Sequence, residues 1–274
     1  MTDFILNNET SLRLGVFLSI LILMMAAEAI FPRKARVLSR RHRWTSNLLL
    51  IVIDTIFVRL VFPIVAVGVA ALSFENGWGL FNLTDFPIWL EVLLAVILLD
   101  MAIYWQHVAY HHIPFFWALH KVHHVDRDID VTTGSRFHPV EIGFSLAYKM
   151  CLVILLGAPV LAVIIFEIVL NGCAMFNHSN VKLPLGLDRV LRRFIVTPDM
   201  HRVHHSTIVS ETNSNYGFST SLWDRMFKTY TAQPSKGHDG MVIGLEEHQA
   251  DGPASLSWSL LFPLKAIKRL ETWI

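Results

Sequence analysis

Charge is scarce in this chain: 16% of its 274 residues are Asp, Glu, Lys or Arg, against about 25% in a typical soluble domain. Hydrophobic residues make up 53% and mean hydropathy is positive, which marks an integral membrane protein. Cysteine is nearly absent, with only Cys151 and Cys173, both inside apolar runs. That excludes a disulfide framework and a cysteine metal site, and both are expected in the core. A net charge of +1 and the lack of a basic helix or aromatic-basic motif give no support to a nucleic-acid partner. No Gly-rich dinucleotide or P-loop pattern occurs, so nucleotide and flavin binding are unsupported. Low-complexity segments are missing too.

Histidine is what the chain has. The spelling His-x-x-His-His begins at His120 and again at His201, and His107-x-x-x-His111 precedes the first copy. With 14 histidines in 274 residues, about 0.04 such matches are expected by chance when pattern matches are counted. On a helix, positions i, i+3 and i+4 share a face, so each cluster aims imidazoles at one point. Eight clustered imidazoles exceed the four ligands of a tetrahedral ion, which predicts two metal ions with about four or five ligands each. Imidazole suits zinc, copper, nickel or iron, so donor type alone leaves the metal open. No histidine has a glutamate three residues before it, which excludes the Glu-x-x-His di-iron bundle.

The apolar runs predict an all-α, integral membrane helical bundle. Leu12 to Phe31 is long enough to span. Ala27-Glu28-Ala29 imitates a cleavage site, but the basic cluster follows the run instead of preceding it, so the segment is expected in the mature protein. Arg33, Lys34, Arg36, Arg40, Arg41 and Arg43 come next and place this loop in the cytoplasm, with the N-terminus outside. Ser46 to Leu72 forms the second span and Pro87 to Trp105 the third, which delivers His107 to the cytoplasmic surface. Val140 to Phe176, interrupted by Gly157-Ala158-Pro159, reads as a helical hairpin that enters and leaves on that side. A cytoplasmic, helical, histidine-rich di-metal domain then caps two single spans, a third span and the hairpin. Thr197-Pro198-Asp199 predicts a fresh helix start before His201. Leu256 to Ile274 reads as an amphipathic helix, either interfacial or closing the core.

Asp100-x-x-x-Tyr104-Trp105-x-His107-x-x-x-His111, Leu119-His120-Lys121-Val122-His123-His124, Arg136-Phe137-His138-Pro139-x-Glu141, Asn177-His178-Ser179-Asn180 and Pro198-x-x-His201-Arg202-Val203-His204-His205-Ser206 resemble the fatty acid hydroxylase and sterol desaturase superfamily. The resemblance continues through Asn215-Tyr216-Gly217 and Trp223-Asp224-Arg225-x-Phe227-x-Thr229-Tyr230. It divides the chain into an N-terminal membrane region (1–94), a catalytic region (95–230, with the hairpin 140–176) and a C-terminal linker and helix (231–274).

The resemblance implies a membrane-bound non-haem di-iron oxygenase that hydroxylates a C–H bond of a fatty acyl, sterol or related lipid. Its needs are two iron ions (Fe2+/Fe3+), O2 as co-substrate, a lipid from the bilayer and electrons from a separate ferredoxin, haem cytochrome or reductase, since no electron-transfer domain is fused. A desaturase or oxidative demethylase on the same centre is the alternative, and a histidine-lined transporter or metal-stabilised scaffold the alternative of another class. By the same resemblance His107, His111, His120, His123, His124, His201, His204 and His205 are metal ligands, joined by His178 and by His138, for which capping of the following helix is an equal alternative. Asp100 is expected to support the ligands from the face it shares with His107, or else to pair with Arg59. Asp224 and Arg225 are expected to hold the cap together, and His112 to stay out of the ligand set. His42, His238 and His248 are expected at the surface. Without a targeting motif, a bacterial inner membrane is expected, or the endoplasmic reticulum in a eukaryote.

Overall fold

The computed structural model describes residues 8–271, with side chains described to residue 267. Helix α1 (Glu9–Ile30) is followed by α2 (Arg40–Val61), α3 (Ala66–Glu75), α4 (Ile88–His112), α5 (Pro114–His124), α6 (Pro139–Leu156), α7 (Val160–Asn177), α8 (Leu185–Leu191) and α9 (Pro198–His204). Single turns at Val209–Thr212, Leu222–Met226 and Gly237–Gly240 lead to the C-terminal helix α10 (Leu256–Glu271). Among the described residues there are no strands, only isolated bridges. Five helical segments are long and apolar enough to cross a membrane, beginning at Glu9, Arg40, Ile88, Pro139 and Val160.

Small residues let these helices approach closely, as membrane bundles require. Ala66 and Ala70 of α3, Ala95 of α4 and Ala162 of α7 are fully buried beside Leu99, Val153, Val163 and Phe166. The outward faces carry exposed Leu18, Ile22, Leu49, Val52, Ile56 and Leu155, the surface expected where lipid replaces water. Cys151 lies exposed on α6 and Cys173 is half-buried on α7; neither is a core residue, because α6 turns its Cys151 face outward. The tip between α6 and α7 turns at Gly157 (φ 61°). There a Cβ would stand 2.6 Å from the Trp78 carbonyl oxygen, so only glycine fits.

The second expected span, Ser46 to Leu72, is not one helix. It ends at Val61 and restarts at Ala66, because Pro63 lacks the amide that would continue the ladder. The basic loop after α1 is also more than a membrane-surface charge. Arg43 is fully buried and donates to Asp126 at 2.7 Å and Asp130 at 2.5 Å, while Arg33 pairs with Asp199 at 3.1 Å and Asp239 at 2.8 Å. Asp128 accepts the backbone amides of Val37 and Leu38. Buried Glu28, near the end of α1, takes the amides of Val131 and Asn180 at 2.7 and 2.8 Å. The loop and the histidine-bearing cap are therefore one packed unit. Helix α10 packs on α5; the side chains of Lys268, Arg269 and Leu270, and Trp273 itself, lie outside the described residues.

Candidate metal centre

Each histidine group sits where a helix ends or begins. His107 and His111 occupy the last turns of α4, His120, His123 and His124 the last turns of α5, and His178 caps α7. Thr197 starts α9 by accepting the Met200 amide, with Pro198 in the first turn, as its sequence predicts. His201 and His204 follow on that helix and His205 caps it. The nine rings fall into two groups. His107, His111, His120, His124 and His204 place one nitrogen each within 4.8 Å of one another, and His123, His178, His201 and His205 do the same.

Hydrogen bonds fix the tautomers. His107 Nδ1 lies 2.7 Å from the Tyr216 carbonyl oxygen, His204 Nδ1 2.7 Å from that of Ser214, and His120 Nδ1 2.6 Å from Glu141 Oε1. The two carbonyls only accept, and Glu141 accepts in its ionised form, so each Nδ1 carries the proton and each neutral ring leaves Nε2 as a bare lone pair. Yet His107 Nε2 lies 3.1 Å from both His120 Nε2 and His204 Nε2. In the second group His178 Nδ1 donates to the Ala174 carbonyl at 2.7 Å and His123 Nδ1 to that of Arg136 at 3.2 Å. Their Nε2 atoms face each other at 3.0 Å, and His201 Nε2 is 2.9 Å from His178 Nε2. Lone pairs aimed at one another in a buried site repel unless a cation lies among them. His111, His124 and His205 add buried Nε2 atoms with no hydrogen-bond partner. The donor set fits one ion per cluster.

Protonation does not relieve the repulsion. Burial holds His120, His123, His124, His201, His204 and His205 well below the ordinary imidazole value, and lowers His178 from 6.5 to about 3. Neighbouring imidazoles push most of them further down. The rings are neutral at physiological pH, the form that binds metal.

The loop after α9 supplies carbonyls where they are needed. Asp224 accepts the amides of Tyr216 (2.7 Å) and Gly217 (2.9 Å) and the Thr229 hydroxyl (2.7 Å), orienting the Tyr216 carbonyl toward His107. Asn215, left-handed at φ 52°, donates to the Met200 and Thr231 carbonyls. A Cβ at Gly217 would meet the Thr220 oxygen at 2.6 Å. Asn215-Tyr216-Gly217 and Asp224 thus act on the site through the backbone.

Two expected residues lie elsewhere. His138 reaches neither cluster: its Nδ1 accepts the Val140 amide at 3.2 Å and its Nε2 lies 3.3 Å from the Leu260 carbonyl, so it caps α6 and ties α10 to it. Asp100 accepts from Trp223 Nε1 at 2.8 Å and touches no clustered histidine. It fastens the cap to α4. His112 bonds back to Val108 of its own helix. His42 is exposed, but His238 is buried and 3.7 Å from Asp199, because the basic loop folds over it. The support that the sequence reading missed is Glu141, whose carboxylate holds His120; its place three residues after His138 was visible, its contact with α5 was not.

Residues 92–229 match the fatty acid hydroxylase family, and the chain belongs to that family. It is 30% identical over 176 residues to an ornithine lipid hydroxylase, OlsE, of Rhizobium tropici, covering 63% of this chain and 51% of the relative. Alkylglycerol monooxygenase of Homo sapiens is 32% identical over 174 residues (62% and 36%), and lathosterol oxidase of Mus musculus 27% over 180 residues (62% and 57%). The chain thus spans about half or less of the length of the first two and 57% of the third. No solved structure matches.

Proposed function

We propose that this chain is a membrane-bound di-iron oxygenase that hydroxylates a C–H bond of a lipid. The observation that carries the reading is the convergence of tautomer-fixed, unprotonated Nε2 atoms in two adjacent buried clusters. The family's relatives, an ornithine lipid hydroxylase, an alkylglycerol monooxygenase and a lathosterol oxidase by name, support a lipid as substrate. Two iron ions bound there would supply O2 activation: one oxygen atom enters the C–H bond and the other leaves as water, with two electrons from a separate ferredoxin, cytochrome or reductase and two protons.

The protein's share is holding and shielding. His107, His111, His120, His124 and His204 would hold one ion, and His123, His178, His201 and His205 the other. Glu141 draws the His120 Nδ1 proton and makes that ligand more basic, and Phe137 covers the second cluster by stacking on His123 at 4.6 Å. Both clusters lie at one end of the bundle, where α4, α5, α7 and α9 meet, and not along a path through it; this favours an enzyme over a transporter. The basic loop binds the same cap, which supports a cytoplasmic site and an external N-terminus. Residues 95–230 would form the catalytic region.

Metal analysis and lipid mass spectrometry test the reading. The purified chain should hold two iron ions, and cells expressing it should gain a lipid heavier by one oxygen atom. His204→Ala should lose the ion of the five-histidine cluster and all product. Product lighter by two hydrogens would replace hydroxylation by desaturation, and full iron with unchanged product in His204→Ala would sink the ligand assignment.

A further inference from the structure

Between α5 and α10 lies a cavity of about 530 Å3, within the roughly 300–1,000 Å3 of small-molecule sites. Its walls are mostly apolar. Trp117 forms the inner wall, and Trp258 and Phe262 of α10, stacked at 4.2 Å, form the outer one. The inner wall is shared with the metal centre, because the Trp117 ring lies 4.8 Å from that of His111 and 5.4 Å from that of His124. On the outside, exposed Ile113, Phe115, Leu261 and Leu264 give both helices an apolar surface suited to a bilayer interface.

The polar groups are unevenly distributed. Lys121 stands over Trp117, with Nζ 5.7 Å from the ring centre, and pairs with half-exposed Glu247 at 3.0 Å. Lys265 lines the same cavity and forms no ion pair among the described residues. An apolar slot against a candidate metal cluster thus carries one positive charge more than its carboxylate balances.

We infer that this cavity binds the substrate lipid, with an acyl chain between Trp117 and the Trp258–Phe262 stack and an anionic headgroup, a phosphate or carboxylate, at Lys121 and Lys265. That the occupant is a substrate rests on the oxygenase reading; the headgroup preference rests on the cavity alone. The lipid comes from the bilayer, and it displaces Glu247 from Lys121 or shares the lysine with it. A neutral diacyl or ether glycerol lacks a partner for Lys265 and binds less well.

Native mass spectrometry of the full chain in detergent, with iron measured in parallel, tests this. Dioleoyl phosphatidylglycerol should be retained at least tenfold more than dioleoylglycerol. Lys121→Glu with Lys265→Glu should erase that ratio, and Ala266→Trp, which fills the slot, should abolish retention of both lipids, with iron unchanged in each. Lys265→Glu alone, at an exposed position, should reduce the ratio at least threefold and covers the event that the double variant misfolds. Equal retention of the two lipids, or undiminished retention by Ala266→Trp, overturns the assignment. Selective retention by a chain without iron would refute the oxygenase and leave the lipid site; iron and product without selective retention would do the reverse.

Discussion

The two histidine clusters differ more in what stands behind them than in their rings. Behind the five-histidine cluster stand a carboxylate, Glu141, the Asn213 side-chain oxygen 3.2 Å from His111, and two carbonyls from the loop that Asp224 organises. Behind the four-histidine cluster stand only the main-chain carbonyls of Ala174 and Arg136; His201 Nδ1 and both nitrogens of His205 lack hydrogen-bond partners there, as both nitrogens of His124 do in the five-histidine cluster. A carboxylate on the far side of an imidazole raises its basicity and fixes its orientation. One position is therefore backed by a side-chain carboxyl and the other by the main chain alone, and the first borders the cavity between α5 and α10 through Trp117. Two ions of one element should differ in affinity here, the four-histidine position releasing its ion first to a chelator.

Glu141→Gln is the sharpest way to break the contrast. It keeps an acceptor for His120 but removes the charge, and should weaken metal binding at the five-histidine cluster by about 10- to 100-fold. Competition titration with a chelator reads this; equal weakening of both ions would mean the carboxylate acts on the whole cap.

Acid acts on both clusters through the metal-free protein. Burial puts His178 and its neighbours below the unfolded value of about 6.5, so between that value and the folded one the unfolded chain binds more protons. Stability is full above pH 6.5 and declines as pH falls toward 3. Melting of chelator-treated protein at pH 8, 6 and 5 should show a falling midpoint, and a flat series would contradict the burial argument.

Packing is probed by Gly134→Ala. The added Cβ would stand 2.8 Å from the Ala174 carbonyl oxygen and 3.3 Å from His178 Nδ1, disturbing the bond that fixes this ligand. Overpacking should cost about 1–3 kcal/mol, with ion loss confined to the four-histidine cluster. The smallest effect is expected from Asp100→Asn, which still accepts from Trp223. Both ions should stay, and stability should fall by about 1 kcal/mol; loss of an ion would restore Asp100 to the ligand support.

The histidine boxes were legible because helix periodicity turns spacing into shared direction, and the Gly157-Ala158-Pro159 turn because few residues tolerate that geometry. What supports the rings was less legible. Glu141 reaches His120 only because α6 folds against α5, a tertiary contact without a local pattern. The Tyr216, Ser214, Ala174 and Arg136 carbonyls carry no side-chain signature at all. The break at Pro63 had its signal, but hydropathy alone runs straight through a proline. His138 shows the converse: it stands in a family motif, yet the helix-capping alternative describes its contacts.

Arg136 is fully buried, and its guanidinium donates to the carbonyls of Val122 (2.8 Å) and Pro253 (2.6 Å), to Asn47 Oδ1 (2.7 Å) and to Ser259 Oγ (2.7 Å). Three of those four acceptors lie outside the stretch 92–229 that defines the family. Transplanting that stretch into another scaffold would strand a cation with most of its acceptors gone, one peptide bond from the phenylalanine that roofs His123. Chimeras that exchange lipid preference between relatives should therefore keep Asn47 and the 253–259 segment with the swapped core.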